Sequence, residues 1–353
     1  MKIMTPRVRS LATAPWWRLC RGAVVWACFT MTLGAQAQDY SDREEVAAIL
    51  TEVGSAGVDV AWARELLAGA KRQQSILDAI ARPAEKTKPW YDYRDIFLTD
   101  RRTREGVVFW DAHAAVLEEI SQRTGVPSAV IVAIIGVETF YGRITGSYRV
   151  IDALTTLAFD YPRRSPFFTR ELEQFLILAW ESGKDPLALK GSYAGAMGYG
   201  QFMPSSYRAY ARSFEPDGVP DIWDNPADAI SSVGHYLNAH GWQAGERVLL
   251  DAVANQPPDS LFAAGLKPSQ SIEALAQAGL STEADADPQT QVTPISLETT
   301  DGQRYWLGLQ NFYVITRYNH SAMYAMAVWE LSEAILAARL APVSYTHLRA
   351  HET

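Results

Sequence analysis

Cysteine is nearly absent from this chain. Of 353 residues only Cys20 and Cys28 are cysteine, and both precede residue 38. The body that follows has no thiol, which excludes a disulfide framework, a cysteine nucleophile and a thiolate metal centre. No apolar run is long enough to span a bilayer. Positive charge is not in excess: the net charge is -8 and the pI about 5.4. An acidic chain does not track a phosphate backbone, so nucleic acid is not an expected partner. The glycine-rich stretch around Gly195 is not followed by Gly-Lys-Ser/Thr, so it is not a phosphate loop. There is no internal repeat and no heptad array. Histidine is scarce, and two of the six, His347 and His351, sit in a tail (343–353) without apolar periodicity. That tail reads as disordered or artefactual and is not counted among metal ligands.

What is present is ordinary globular composition, 48 % hydrophobic and 20 % charged, sized for one large domain or two lobes. Eleven Trp and 16 Tyr are many for this length. Aromatic rings pack cores and also offer flat platforms to sugars. Residues 1–37 read as an export signal. Lys2, Arg7, Arg9, Arg18 and Arg21 precede the short apolar stretch Ala23 to Leu33, and Ala35-Gln36-Ala37 is a small-x-small cleavage site. The expected location is the periplasm. The competing reading is a lipoprotein cut before Cys28; bulky Trp26 favours the soluble form, and membrane attachment is expected only through that cysteine.

Apolar periodicity predicts helices over 41–82, broken at Gly54 and Gly57, and a polar linker from Pro83 to Pro89. A dense aromatic segment, Trp90 to Phe97, comes next. Further helices are expected from Thr103 to Arg123, after Pro127, and over Glu171 to Glu181, Asn225 to His240 and Ser321 to Leu340. Alternation in Val292 to Leu297 and Arg304 to Leu309, with a turn near Thr300-Asp301-Gly302, predicts a hairpin. The expected fold is mainly α, an α+β arrangement. It has a helical domain over 38–250, a small β-containing lobe over 251–310, and a segment over 311–342 that returns to the helical domain.

The most informative residue is Glu138. In Val130 to Gly142, residues Ile131, Ile134, Ile135 and Glu138 fall at i, i+3, i+4 and i+7, which puts a carboxyl group at the end of an apolar stripe. Lost hydration and the negative end of the helix dipole, with Gly142 as the stop, both favour the neutral acid. A carboxylic acid held protonated near neutral pH is what glycosidic cleavage requires. The alternative is a helix-end glutamate paired with a cation.

Three further motifs accompany it: Phe159-Asp160-Tyr161-Pro162-Arg163-Arg164-Ser165, the glycine-rich run Gly191 to Tyr207, and Asn311 to Ser321. Four glycines in ten residues would let the backbone approach a ligand closely. Ser192, Tyr199 and Gln201 supply neutral donors and acceptors suited to sugar hydroxyl and acetamido groups. Together these motifs resemble the lytic transglycosylase B family, glycoside hydrolase family 103, over roughly residues 40–340. The resemblance implies a lysozyme-like fold and cleavage of peptidoglycan between N-acetylmuramic acid and N-acetylglucosamine, with 1,6-anhydromuramoyl ends and no water consumed. Peptidoglycan strands are the expected partner, other cell-wall enzymes are further candidates, and the protein is expected to be a monomer.

The resemblance puts Arg163 and Arg164 in the substrate cleft, where guanidinium forks suit lactyl or peptide carboxylates; a solvated charge pair is the plainer reading. Tyr318, Asn319 and Tyr324 match residues that contact or orient the reacting sugar, and Asn319 could instead be a buried structural amide. Tyr93 lines the same groove or packs the core. Ser192 is expected to orient Glu138 or the acetamido group. No cofactor is required. A weak structural calcium site is a further expectation, because Ser213, Glu215, Asp217, the Val219 carbonyl, Asp221 and Asp224 fit EF-hand spacing with Gly218 at the turn. Ser at position one and Asp at position twelve depart from the usual set.

Ordinary glycosidases need a second carboxylate. Asp152, Asp160, Glu171 and Asp185 are candidates with easy structural readings. A hydrolytic muramidase and an inactive peptidoglycan-binding scaffold therefore stay beside the transglycosylase as alternatives.

Overall fold

The computed structural model describes Tyr40 and residues 43–81, 88–263 and 265–341. The expected export signal with its two cysteines, most of the linker after Pro83 and the tail from 343 lie outside the described residues. Helices dominate. They run α1 Glu44–Ser55, α2 Val60–Ala68, α3 Gln74–Ala81, α4 Trp90–Phe97, α5 Asp100–Ala112, α6 Ala114–Thr124 and α7 Ser128–Thr139. A two-residue strand β1 (Tyr148–Arg149) then leads into α8 (Val150–Asp160) and α9 (Ser165–Ser182). Strand β2 (Lys190–Gly191) pairs back onto β1, and α10 (Pro204–Tyr210) and α11 (Pro226–Ala239) follow. The chain next forms β3 (Leu249–Ala254), β4 (Gln270–Ser271), α12 (Ile272–Gln277), β5 (Leu280–Ser281), β6 (Gln291–Thr299) and β7 (Gly302–Gly308). It closes with α13 (Gln310–Tyr318) and α14 (Ala322–Leu340). No single helix among the described residues is long and apolar enough to cross a membrane.

The small lobe is an antiparallel five-stranded sheet in the order β4-β6-β7-β3-β5. The predicted hairpin is β6–β7, closed where Thr299 pairs with Gly302 and the Thr299 hydroxyl donates to the Gly302 carbonyl. The period of two divides its side chains. Ile295, Leu297 and Trp306 join the main core, whereas Val292 and Leu307 close a second core with Leu250, Leu275 and Leu280.

Two expectations need correction, and the aromatic segment gains an element. The single helix from Thr103 to Arg123 is two, because His113 (φ −123, ψ 23) breaks it. No glycine or proline marks that break; α5 packs on α14 and α7, whereas α6 packs on α11 and α7. The aromatic segment is itself a helix, α4, burying Trp90 and Tyr93. The second correction concerns α7. It is not one-sided: every residue from Ser128 to Val137 and Thr139 is buried, and Glu138 alone is half-buried. A helix apolar on all sides belongs inside a core.

The α7 terminus is stopped before Gly142. Phe140 (φ 50) and Tyr141 (φ 61) both take the left-handed conformation, which is unfavourable for bulky side chains and persists only when surroundings enforce it. Here they do. The Tyr141 hydroxyl donates to the Arg102 carbonyl at 2.8 Å, and the ring packs on Gly136 and Gly106. Arg101, Arg102 and Arg143 stack over the Phe140 ring at 5.1–5.6 Å. Gly136→Ala tests this lock. In an exposed helix the change would stabilise by about 1 kcal/mol. A Cβ at 136 would instead lie 2.6 Å from the Tyr141 hydroxyl. The expected result is therefore a loss of about 1–3 kcal/mol in denaturant unfolding.

Candidate active site

Glu138 projects from the last turn of α7 into a cluster of tyrosines. The Tyr324 hydroxyl, from the first turn of α14, donates to Glu138 Oε1 at 2.7 Å. Burial, the Glu138 charge and the neighbouring phenols of Tyr318 and Tyr93 hold the Tyr324 hydroxyl well above its ordinary pKa. Burial and Glu138 do the same to Tyr318. Both phenols therefore stay neutral donors through the physiological range. Ser321 caps α14 by accepting from the Tyr324 N–H, which fixes where that ring starts. Tyr93 comes from α4, packed between Trp90 and Phe97.

The glycine-rich run is tied directly to the Glu138 helix. The Thr139 hydroxyl donates to the Tyr199 carbonyl at 2.8 Å and accepts from the Gly142 N–H at 3.0 Å. The Tyr199 ring lies against Gly142 so closely that a Cβ there would meet it at 2.0 Å. The run folds on itself through paired bonds between Met197 and Phe202 and a Ser192 N–H to Ala196 carbonyl bond. Its glycines face the protein rather than open ligand space. A Cβ would strike Ala196 at position 191, Leu154 at 195, the Ile222 carbonyl at 198 and the Tyr318 hydroxyl at 200. The expectation that they admit a ligand to the backbone is replaced by close self-packing.

The predicted polar residues of this run divide. Ser192 is half-buried, and its Oγ accepts from the Ala194 and Ala196 N–H groups, which leaves the hydroxyl proton to donate. Gln201, at φ 51, uses its amide Nε2 to hold the Thr145 and Gly198 carbonyls. Tyr318 turns its hydroxyl onto the Gly200 carbonyl at 2.7 Å and packs on Phe202 and Tyr236. Asn319 is exposed at the end of α13; the buried structural amide of that motif is Asn311, bonded to Gln243 and Glu246. Arg163 and Arg164 are exposed in a 3₁₀ turn after α8, with Arg164 stacked 4.4 Å over Phe167. No described contact joins this pair to the tyrosine cluster.

Sequence reasoning missed Thr139, and it missed that Tyr324 binds the glutamate itself. Thr139 had a signal, since a hydroxyl beside the glutamate inside an apolar helix calls for a partner. The Tyr324 contact spans 186 positions, and no local pattern encodes it.

In the loop expected to bind calcium, the predicted ligands stand in different surroundings. Among the described residues, no three acidic or histidine side chains converge as a metal site. Glu215, Asp217, Val219 and Asp224 are exposed. Asp221 receives Lys184 Nζ at 3.1 Å. Burial opposes its charge, but Lys184 and the Asp224 and Trp223 N–H groups outweigh that and hold its carboxyl below the ordinary range. Ser213 packs on Gly218 and reaches Asp228. Asp228, buried and outside the predicted set, closes the loop by accepting from the Phe214 and Asp221 N–H groups.

Comparison with known proteins fits this geometry. The family model described as the transglycosylase SLT domain matches residues 41–333. The chain belongs to this transglycosylase family. It is 46 % identical over 297 residues to the membrane-bound lytic murein transglycosylase B of Escherichia coli K12, covering 82 % of this chain and 81 % of that one. The solved structure of catenated lytic transglycosylase SltB1 from Pseudomonas aeruginosa aligns at TM-score 0.81 and 50 % identity, covering 85 % of this chain and all of that one. The Escherichia coli lytic transglycosylase Slt35, solved in complex with calcium, aligns at 0.77 and 43 %, covering 87 % of this chain and 96 % of that one.

The candidate second carboxylates are engaged elsewhere. Asp152 is buried and takes bonds from Arg149, the Lys71 N–H and Gln73. Asp160 is held by Tyr40, Arg43 and Arg72. Glu171 is buried and receives the Ser205 hydroxyl and N–H. Asp185 accepts from the Leu187 N–H. Asp152→Asn and Glu171→Gln are each expected to lower stability by about 1–3 kcal/mol in thermal melts, with the chemical identity of any cleavage product unchanged.

Proposed function

We propose that this protein is a lytic transglycosylase of peptidoglycan, with Glu138 as its single acid and base. The observation that carries the reading is the Tyr324–Glu138 hydrogen bond at the open end of a buried helix. A neutral phenol fixed on Oε1 sets the carboxyl plane while burial limits its hydration. Glu138 protonates the glycosidic oxygen between N-acetylmuramic acid and N-acetylglucosamine. It then removes the proton from the muramoyl C6 hydroxyl, which attacks C1 of the same sugar and closes a 1,6-anhydro ring. Intramolecular attack has a high effective molarity, so neither water nor a second carboxylate is needed. No step is routed through a metal ion.

Ser192, with its hydroxyl proton left over, is assigned to the substrate acetamido group or to Glu138. Tyr199 and Asn319 are assigned to sugar contacts, and Arg163 and Arg164 to peptidoglycan carboxylates. Gln201 and Tyr318 are reassigned to holding the glycine run. Action on peptidoglycan implies the periplasm as the working compartment.

Mass spectrometry of digested sacculi tests the assignment. Wild-type protein is expected to release anhydro-muropeptides and Glu138→Gln none; reducing muramic ends from the wild type would make it a hydrolase. Tyr324→Phe keeps the ring and removes the donor. It is expected to lower kcat by about tenfold to a hundredfold with little change in KM, and an unchanged kcat would remove Tyr324 from the mechanism.

A further inference from the structure

One tryptophan is not used by the core. Trp180, in the last turn of α9, is 44 % exposed, and every other described tryptophan is buried or half-buried. Its ring meets that of Trp62 from α2, with centroids 5.3 Å apart and planes at 58°. Trp62, Asp185 and Pro186 are shared by two concavities of about 440 and 430 Å³. The first follows the α2 face made by Trp62, Glu65, Leu66 and Gly69 across to Leu187, and the second lies at Trp180 and Gly183. An indole left open at the edge of a concavity marks a binding surface. Glu138 and its tyrosines stand on α4, α7, α13 and α14. This surface is built instead by α2, the end of α9 and the turn at 183–187.

The lining chemistry selects the ligand. Lys184 is the one cation among the lining residues, and it is turned to Asp221 at 3.1 Å and over the Trp223 ring. A phosphate or carboxylate would find no counter-ion here. An ammonium ligand is held by rings that face one another across a gap, whereas Trp62 and Trp180 lie in contact. Two acids remain, Glu65 and Asp185, both exposed; Asp185 accepts the Leu187 N–H on Oδ1. A flat indole face bordered by carboxylate acceptors suits a pyranose ring. The C–H face of the sugar lies on the indole, and its hydroxyl groups donate to the acids.

We propose that Trp180 and Trp62 form a second, non-catalytic site that holds a glycan strand by its β-1,4-linked N-acetylhexosamine units. That a sugar binds follows from the lining; which sugar rests on the transglycosylase reading. Such a site keeps the enzyme on an insoluble polymer between cuts.

The test is a titration of the ¹⁵N-labelled Glu138→Gln protein with chitohexaose, followed by NMR at the indole N–H groups. The Trp62 and Trp180 signals are expected to shift together and saturate. In co-sedimentation with intact sacculi, adding Trp180→Ala is expected to weaken binding about tenfold, and Trp180→Tyr, which keeps a ring, to restore most of it. With Glu138 in place, Trp180→Ala is expected to cleave a short soluble strand at the wild-type rate. Indole signals that stay still, or sacculus binding that Trp180→Ala leaves intact, would overturn the proposal. So would a matching loss on the short strand, which would put Trp180 in the reacting cleft. The same shifts on concentrating the protein without sugar would also overturn it, by showing that a second copy covers this face. Failure of the transglycosylase reading shows separately, in the product ends made by the wild type.

Discussion

Everything in this molecule that bears on chemistry depends on how α7 ends. A helix buried on every side can present one polar residue only if its last turn is stopped sharply and held. Two consecutive left-handed aromatics make the stop, and their strain is offset by one buried hydroxyl bond, three stacked guanidinium groups and the close fit of Tyr141 on two glycines. Thr139 then fastens the glycine run to that same terminus. Glu138 is therefore positioned by rigid backbone on one side and by the Tyr324 hydroxyl on the other, the ordered surround that its proposed catalytic role requires.

The glycine run and the tyrosine cluster form one assembly. Tyr318 closes on Gly200, Gly198 presses on the Ile222 carbonyl, and Tyr199 seals Gly142. Small residues let these pieces come within contact of each other. The run's value is thus in fixing Tyr199 against the end of α7, more than in leaving room for a ligand.

Much of this was legible in the sequence. Glu138 stood out because a carboxylate in an apolar run is costly without a purpose. The β6–β7 hairpin, α11 and α14 were readable from period and turn chemistry. A one-sided stripe is not what sets Glu138 apart, because i, i+3, i+4 spacing also occurs in a helix that is apolar all round. The break at His113 was invisible because no glycine or proline marks it; α5 and α6 share α7 and part toward α14 and α11. At 213–224 the spacing gave no sign of Lys184, which takes Asp221 from a distant turn, or of Asp228, which closes the loop from the following helix. Long-range pairings such as Tyr324 with Glu138 leave no trace in a single sequence.

The central claim is that one carboxyl group serves both steps and water takes no part. Digestion of peptidoglycan in H₂¹⁸O tests it most directly. The account predicts muramoyl product ends without ¹⁸O and about 20 mass units lighter than ends hydrolysed in that water, as closure onto the C6 hydroxyl requires. Incorporation of ¹⁸O at muramoyl C1 would contradict it and require a second group to hold the attacking water.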